Sequence, residues 1–285
     1  MRFSIIFCLC LVTTAFLQAQ IQDISYGFKA GLNFSSLTGG VDEIGEMNTY
    51  TSGFHIGLLF DVGFTDNFGL RSELLYSQKG KEYQYEGDAY FVFDPFSLRI
   101  NTTGTRTTNL TVSNSYVQLP VMGYAKFGRI EFMGGIYGGL RLGSLGNGTM
   151  NYQSERFDIT QDFDLVYFYG RDQGGDFGGS LTPDFIQNNA VLIPSELGAY
   201  YEFSEGAPDK PLYKVGDFGL VGGISFYLGK NQTLFFNTRV EYGLTDVTNN
   251  NTDVSVVSLG SNNQFLFRND DDRNITIHTA LGFRF

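Results

Sequence analysis

Apolar and polar residues alternate over long stretches of this chain. Phe54, Ile56, Leu58, Phe60, Val62 and Phe64 interleave with Gly53, His55, Gly57, Leu59, Asp61 and Gly63. Phe218, Leu220, Gly222, Ile224, Phe226 and Leu228 interleave with Asp217, Gly219, Val221, Gly223, Ser225 and Tyr227. Ile275, Ile277, Thr279, Leu281, Phe283 and Phe285 form the last such set. A period of two places one set on each face of a strand. The pattern predicts eight strands, over 25–34, 50–64, 68–80, 114–127, 130–142, 216–228, 232–245 and 274–285. Each has at least the roughly 9–11 residues that a tilted strand needs to cross a bilayer. A sheet crosses lipid only when it closes and leaves no backbone edge unpaired. The predicted fold is therefore all-β, an eight-stranded antiparallel up-and-down transmembrane β-barrel with long extracellular loops.

The short turns test this arrangement. The apolar face runs over odd numbers in Val117, Leu119, Val121, Gly123, Ala125 and Phe127, and over even numbers in Ile130, Phe132, Gly134, Ile136 and Leu140. A two-residue turn at Gly128-Arg129 pairs residue i with i+3 and flips the parity, and a leading glycine suits type II′. Thr65-Asp66-Asn67 is predicted as a three-residue turn pairing Phe64 with Phe68. Gly229-Lys230-Asn231 is predicted as another, pairing Leu228 with Gln232 and Phe226 with Leu234. Each choice keeps the apolar residues on one face, which fixes the register.

The connections 35–49, 81–113, 143–215 and 246–273 are long, and they alternate with the short ones. Short periplasmic turns and long extracellular loops give outer-membrane barrels this rhythm. The long segments are rich in Asn, Asp, Gly, Ser and Thr. Segment 143–215 also holds Val191-Leu192-Ile193 and Tyr200-Tyr201, so it is expected to be partly ordered, with strand extensions or a helical turn after Thr182-Pro183. Aromatic residues gather where strands would meet headgroups: Tyr26, Phe64, Phe68, Phe127 and Phe285 at the turn side, and Phe34, Tyr76, Tyr116, Phe218 and Tyr242 at the loop side.

Residues 1–20 read as a signal peptide, with Arg2 before an apolar core from Phe3 to Leu17 and a small-residue site at Gln18-Ala19-Gln20. The barrel domain is then 21–285. Both cysteines, Cys8 and Cys10, fall in the signal, so a disulfide framework and a thiolate metal site are not expected. The net charge is −11, and −12 once Arg2 is removed. An acidic chain of this kind is not expected to bind nucleic acid.

Several segments resemble the PorT-like outer-membrane β-barrel family. Tyr26-Gly27-Phe28-Lys29-Ala30-Gly31-Leu32-Asn33-Phe34-Ser35 is similar to its first strand, and Tyr116-Val117-Gln118-Leu119-Pro120-Val121 to its strand with a proline. Gln118 stands where that strand is expected to carry an acid. Asp217 to Gly223, Arg239 to Thr245 and the terminal Gly282-Phe283-Arg284-Phe285 also fit, in the family's order. The resemblance implies an outer-membrane location and the lipid bilayer and barrel-assembly machinery as partners. An envelope protein complex is a further expected partner, and one branch of the resembling family is associated with type IX secretion.

The predicted polar face carries Lys29, Arg71, Glu73, Lys79, Lys126, Glu131, Arg141, Asp217, Arg239, Glu241 and Arg284. Eight strands enclose little more than their own side chains, so these charges are expected to pair and plug the lumen; the alternative is a narrow ion pathway. His55 and His278 share that face, with no visible Ser/His/Asp arrangement. Asp172 and Asp176 offer oxygen ligands for calcium, set against the commoner reading of a solvated Asp/Gly loop. No phosphate-loop motif is present. The expectation is a non-enzymatic protein without a cofactor or an assigned catalytic or metal site, in a structural or interaction role. Secretion accessory and small transport pore are the alternatives for function. A soluble lipocalin-like barrel is the alternative for fold.

Overall fold

A computed structural model describes residues 23–285 except 40–43, 96, 187 and 204–207. The expected signal peptide lies outside the described residues. The strands are β1 (Asp23–Thr38), β2 (Glu46–Thr49), β3 (Thr51–Gly63), β4 (Phe68–Phe93), β5 (Ile100–Phe127), β6 (Ile130–Ser154), β7 (Thr160–Phe168), β8 (Phe177–Ile186), β9 (Asn189–Leu197), β10 (Gly216–Leu228), β11 (Leu234–Gly243), β12 (Val254–Leu259), β13 (Phe265–Phe267) and β14 (Arg273–Arg284). Eight of them close a ring in the order β1-β3-β4-β5-β6-β10-β11-β14, with β14 back on β1, every pair antiparallel. No helix among the described residues is long and apolar enough to cross a membrane.

The apolar face points outward. Phe28, Leu32, Phe54, Ile56, Leu58, Phe60, Leu119, Phe132, Leu220, Val240 and Leu281 form an exposed belt around the ring. Tyr26, Phe68, Phe127 and Phe285 stand at its turn end, and Phe34, Phe218 and Tyr242 at its loop end. Tyr116 does not join them. It lies on the inward row of β5, fully buried, because the outward residues of that strand are the odd-numbered ones.

Two turns have the expected form. Phe127 pairs with Ile130 across Gly128-Arg129, and Gly128 has φ +63°, which the first position of a type II′ turn requires. The Phe64 N–H donates to the Phe68 carbonyl at 2.9 Å, closing the three-residue turn. The third turn differs: Leu228 pairs with Leu234 and Phe226 with Phe236, so 229–233 is a five-residue loop. The register moves by two residues, which leaves every side chain on its expected face.

The larger departure concerns segments 81–113 and 143–215, which are not mainly loops. β4, β5 and β6 continue well past the belt and pair with one another as far as Phe93, Ile100 and Ser154. They turn their faces inside out on the way. Along β5 the outward residues are Val117, Leu119, Val121 and Phe127 in the belt, but Thr103, Thr105, Thr107, Asn109 and Thr111 above it. The inward row changes in the opposite sense, from Gln118 and Asn114 to Val112, Leu110 and Ile100. The change falls at a bulge, where Ser115 faces Gly143 and Tyr116 faces Arg141, leaving Leu142 as the extra residue of β6. Above it β7, β9 and β8 extend the sheet from β6, and β2 caps the free edge of β4. Thr182 and Pro183 belong to β8, so the expected helical turn after them is a strand.

The result is a hood over the loop end of the barrel. Its apolar interior is built from Phe91, Phe93, Tyr152, Phe163, Leu165, Ile186, Val191, Ile193, Tyr201 and Tyr213. The barrel interior, by contrast, is polar.

Candidate functional site

The inward row of each ring strand supplies the lumen. At the turn end, Arg71 holds Asp61 in a two-point contact, Nε to Oδ1 at 2.6 Å and Nη2 to Oδ2 at 2.8 Å. Its Nη1 reaches Glu131 Oε1 at 2.7 Å, and the Tyr227 hydroxyl donates to Glu131 Oε2 at 2.9 Å. Midway, Glu73 Oε2 takes Lys29 at 2.7 Å and Arg239 Nη1 at 2.6 Å. Toward the hood, Arg239 Nη2 meets Glu241 Oε1 at 2.9 Å, and Lys79 lies 3.0 Å from Glu241 Oε2 and 3.1 Å from Asp217. Arg284 adds a weaker contact of 3.6 Å to Asp61. Five cations, Lys29, Arg71, Lys79, Arg239 and Arg284, thus face five carboxylates, Asp61, Glu73, Glu131, Asp217 and Glu241. Apart from Arg284 and the aromatic fillers, all are at most 3% exposed.

Burying these ions costs several kcal/mol each, which only close pairing and hydrogen bonding offset. The network therefore fills the lumen with matched charge. Most of its members are in the polar row read from sequence. Asp61 and Tyr227 also lie on that alternation, but their part in the network depends on the stagger between strands. Two expected members lie apart from it. Lys126 is half-buried over the Tyr227 ring at 4.1 Å. Arg141 donates to the carbonyls of Lys214 and Tyr213 at 3.0 and 2.8 Å, tying the barrel rim to the hood.

His55 and His278 do meet. Their Nδ1 atoms are 3.4 Å apart, His278 Nε2 lies 3.2 Å from Glu241, and His55 Nδ1 lies 2.6 Å from Asn33 Oδ1. The Asn33 amide nitrogen donates to Ser77 Oγ and to the Phe54 and Gln78 carbonyls. Ser77 faces His55 across β3 and β4, but no serine or cysteine hydrogen-bonds either ring among the described residues. Both histidines are built into the closed interior.

Asp172 and Asp176 do not form a shared oxygen cage. Asp172 Oδ2 accepts the backbone N–H of Phe168 and of Ala199, each at 2.8 Å, and so staples the hood. Asp176 is exposed. A different trio, Asp253, Asp270 and Asp272, brings carboxylate oxygens within 4.8 Å of one another in the hood. Asp253 already receives Arg268 at 3.1 Å, and Arg268 also reaches Glu46 at 2.7 Å. Burial and the neighbouring Asp270 raise the Asp253 carboxyl against the pull of Arg268. Burial likewise raises Glu202, opposed by Arg106.

Comparison with known proteins agrees with this architecture. The profile of the family described as outer membrane protein beta-barrel domain matches residues 18–249, well over half of the chain. No curated protein matches the sequence. Among solved structures, Ail, the attachment invasion locus protein of Yersinia pestis, is 9% identical with a TM-score of 0.35, covering 93% of this chain and 100% of its own. OprG from Pseudomonas aeruginosa is 14% identical with a TM-score of 0.36, covering 92% and 95%. Neisserial surface protein A is 9% identical with a TM-score of 0.32, covering 93% and 100%.

Proposed function

The chain belongs to the outer membrane protein beta-barrel domain family and resides in the cell outer membrane, and from that premise we propose a structural and interaction role rather than transport or catalysis. The observation that carries this reading is the charge-matched lumen, in which Lys29, Glu73, Arg239, Glu241 and Lys79 form one continuous buried chain of ion pairs. A permeating ion would have to break it. What the protein offers the exterior is instead a rigid, polar-faced hood standing on extended strands. Its Thr and Asn rows on β5 suit contact with a partner through water-exposed hydrogen bonds. The bilayer and the barrel-assembly machinery are its partners for insertion, and an envelope protein complex is its partner in function.

Within the family, the motifs Tyr26–Ser35 and Tyr116–Val121 support placement in the PorT-like branch. That placement favours a secretion-accessory role as the form the interaction takes. The enzyme reading is set aside because both rings are buried in the closed lumen, with His55 Nδ1 on Asn33, His278 Nε2 beside Glu241, and no serine or cysteine hydrogen-bonded to either among the described residues.

Planar-bilayer recording tests the closed lumen, with no steady conductance expected. A large, stable, charge-selective current would replace this reading with the small pore. Crosslinking in native envelopes, followed by capture of the protein, tests the partner. A protein that crosslinks to nothing, under conditions where a known envelope complex is captured, counts against the interaction role.

A further inference from the structure

Among the described residues, every cation wholly inside the barrel has a carboxylate within 4.0 Å, and two buried cations in the hood do not. Lys79 has Asp217 and Glu241 at 3.1 and 3.0 Å. Lys81, the next residue on the same inward row of β4, is 7% exposed. Among the described residues its ammonium has no carboxylate within 4.0 Å and no hydrogen-bond acceptor. The ammonium lies 5.4 Å from the centre of the Tyr83 ring. Arg106, on the inward row of β5, is 9% exposed. Its Nε donates to Thr108 Oγ1 at 2.8 Å, and no carboxylate lies within 4.0 Å of the guanidinium among the described residues.

Both side chains line one cavity of about 160 Å³ inside the hood. Its other walls include Phe91, Leu110, Met150, Tyr169 and Tyr201. The half-buried Val254 and Val256 also border it. Three acids, Glu202, Asp253 and Asp272, face the same space, none of them within 4.0 Å of either cation, although Glu202 acts on Arg106 and Asp253 on Lys81 through space. Asp253 is engaged by Arg268, and Asp272 accepts the Thr248 hydroxyl at 3.1 Å. Burial raises the Glu202 carboxyl while Arg106 pulls it down. A buried cation with no carboxylate in direct contact is costly. Two of them aimed into one aromatic cavity make a receptor for an anion with a flat apolar body. The volume sets the size of that body, since a cavity of about 150 Å³ accommodates benzene.

We propose that the hood holds a binding site for a single-ring aromatic carboxylate, its carboxylate between Lys81 and Arg106 and its ring against the aromatic walls. Aromatic faces supply the apolar contact, and the guanidinium offers two parallel donors to the carboxylate. Ligand-pocket anatomy is the same elsewhere: mostly apolar walls with a few converging polar groups. The site needs only a folded hood and stands whether or not the hood also contacts a protein partner.

The test is titration of the full chain in detergent micelles with benzoate, read by isothermal titration calorimetry. Benzamide serves as the neutral isostere and acetate as the charge without the ring. Benzoate is expected to bind saturably, and benzamide and acetate at least tenfold more weakly. K81M and R106M are each expected to weaken benzoate at least tenfold, while the near-UV circular dichroism of the hood tyrosines is retained. Equal binding of benzoate and benzamide overturns the proposal, as does absence of saturable benzoate binding. Unchanged affinity in both variants overturns it too. If a variant loses its near-UV signal, the wild-type comparison of benzoate with benzamide and acetate decides. Failure here leaves the bilayer recordings and the crosslinking unaffected, so the two readings fall separately.

Discussion

Val112 and Val117 stand five places apart on β5 and face opposite surroundings. Val117 points outward from the belt and is 37% exposed, whereas Val112 points inward, into the hood, and is 1% exposed. Between them the strand passes from lipid to water, and its apolar row moves from one face to the other. The chain thereby solves two solvation problems with one continuous ladder. In the membrane the apolar side must be outside. In water it must be inside.

The outward row of β5 therefore has a sharp tolerance boundary. Val121 lies midway along the belt segment of β5 and Thr107 lies above it. V121R should cost about 2–4 kcal/mol, the penalty for arginine near the bilayer midplane. T107R should change stability by less than about 0.5 kcal/mol, as an ordinary surface change does. Denaturant unfolding of the protein in lipid vesicles measures both. Equal costs would place the lipid boundary elsewhere on the strand.

The lumen should behave as a network. Glu73 neutralises both Lys29 and Arg239, at 2.7 and 2.6 Å. E73Q leaves two buried cations short of charge and should destabilise by about 3–5 kcal/mol. Adding K29M to it should recover part of that loss, giving a coupling on the order of 0.5–3 kcal/mol in a double-mutant cycle. Additive losses would mean that the pair is not in contact in solution.

How much of this was readable from sequence differs between barrel and hood. The eight ring strands follow from the period of two, and the polar row names most of the lumen charges. Which charges meet is set by stagger. Arg71 finds Glu131 across sixty residues because of where β4 and β6 fall around the ring, and alternation carries no such information. The hood was hidden for another reason. Along β4 the apolar row passes from even residues, ending at Leu74 and Tyr76, to odd residues, beginning at Tyr83 and Tyr85. A search for one continuous apolar face reads that inversion as the end of a strand. The Thr-rich outward row of β5 then looks like a solvated loop, although Thr is a β-branched strand former.

Hood stability should fall as pH rises. Burial pushes the Glu202 carboxyl above its ordinary value, more than Arg106 pulls it down, and Asp253 is raised in the same sense. A carboxyl whose folded-state value exceeds its unfolded one favours folding least when both states are ionised. The stabilisation is present at low pH and is lost as pH climbs from the unfolded value through the raised folded value. Protease resistance of the hood should therefore be higher just below the ordinary carboxylate range than at neutrality. E202Q should flatten that dependence, and an unaltered profile would remove Glu202 as its source.

Asp172 should matter to the hood alone. Its Oδ2 accepts two backbone N–H groups, from Phe168 at the end of β7 and from Ala199 just past β9, so it joins two arms separated by a long connection. D172A leaves both donors without that acceptor, a loss of about 1–3 kcal/mol for each that stays buried. D172N keeps an oxygen in place and should lose less. The barrel has its own ladders and its own ion pairs, so its unfolding midpoint should not move in either variant. External protease should instead cut D172A faster within 169–203, with the ring strands still protected. A D172A protein that lost the barrel as well would show that hood and ring fold as one cooperative unit.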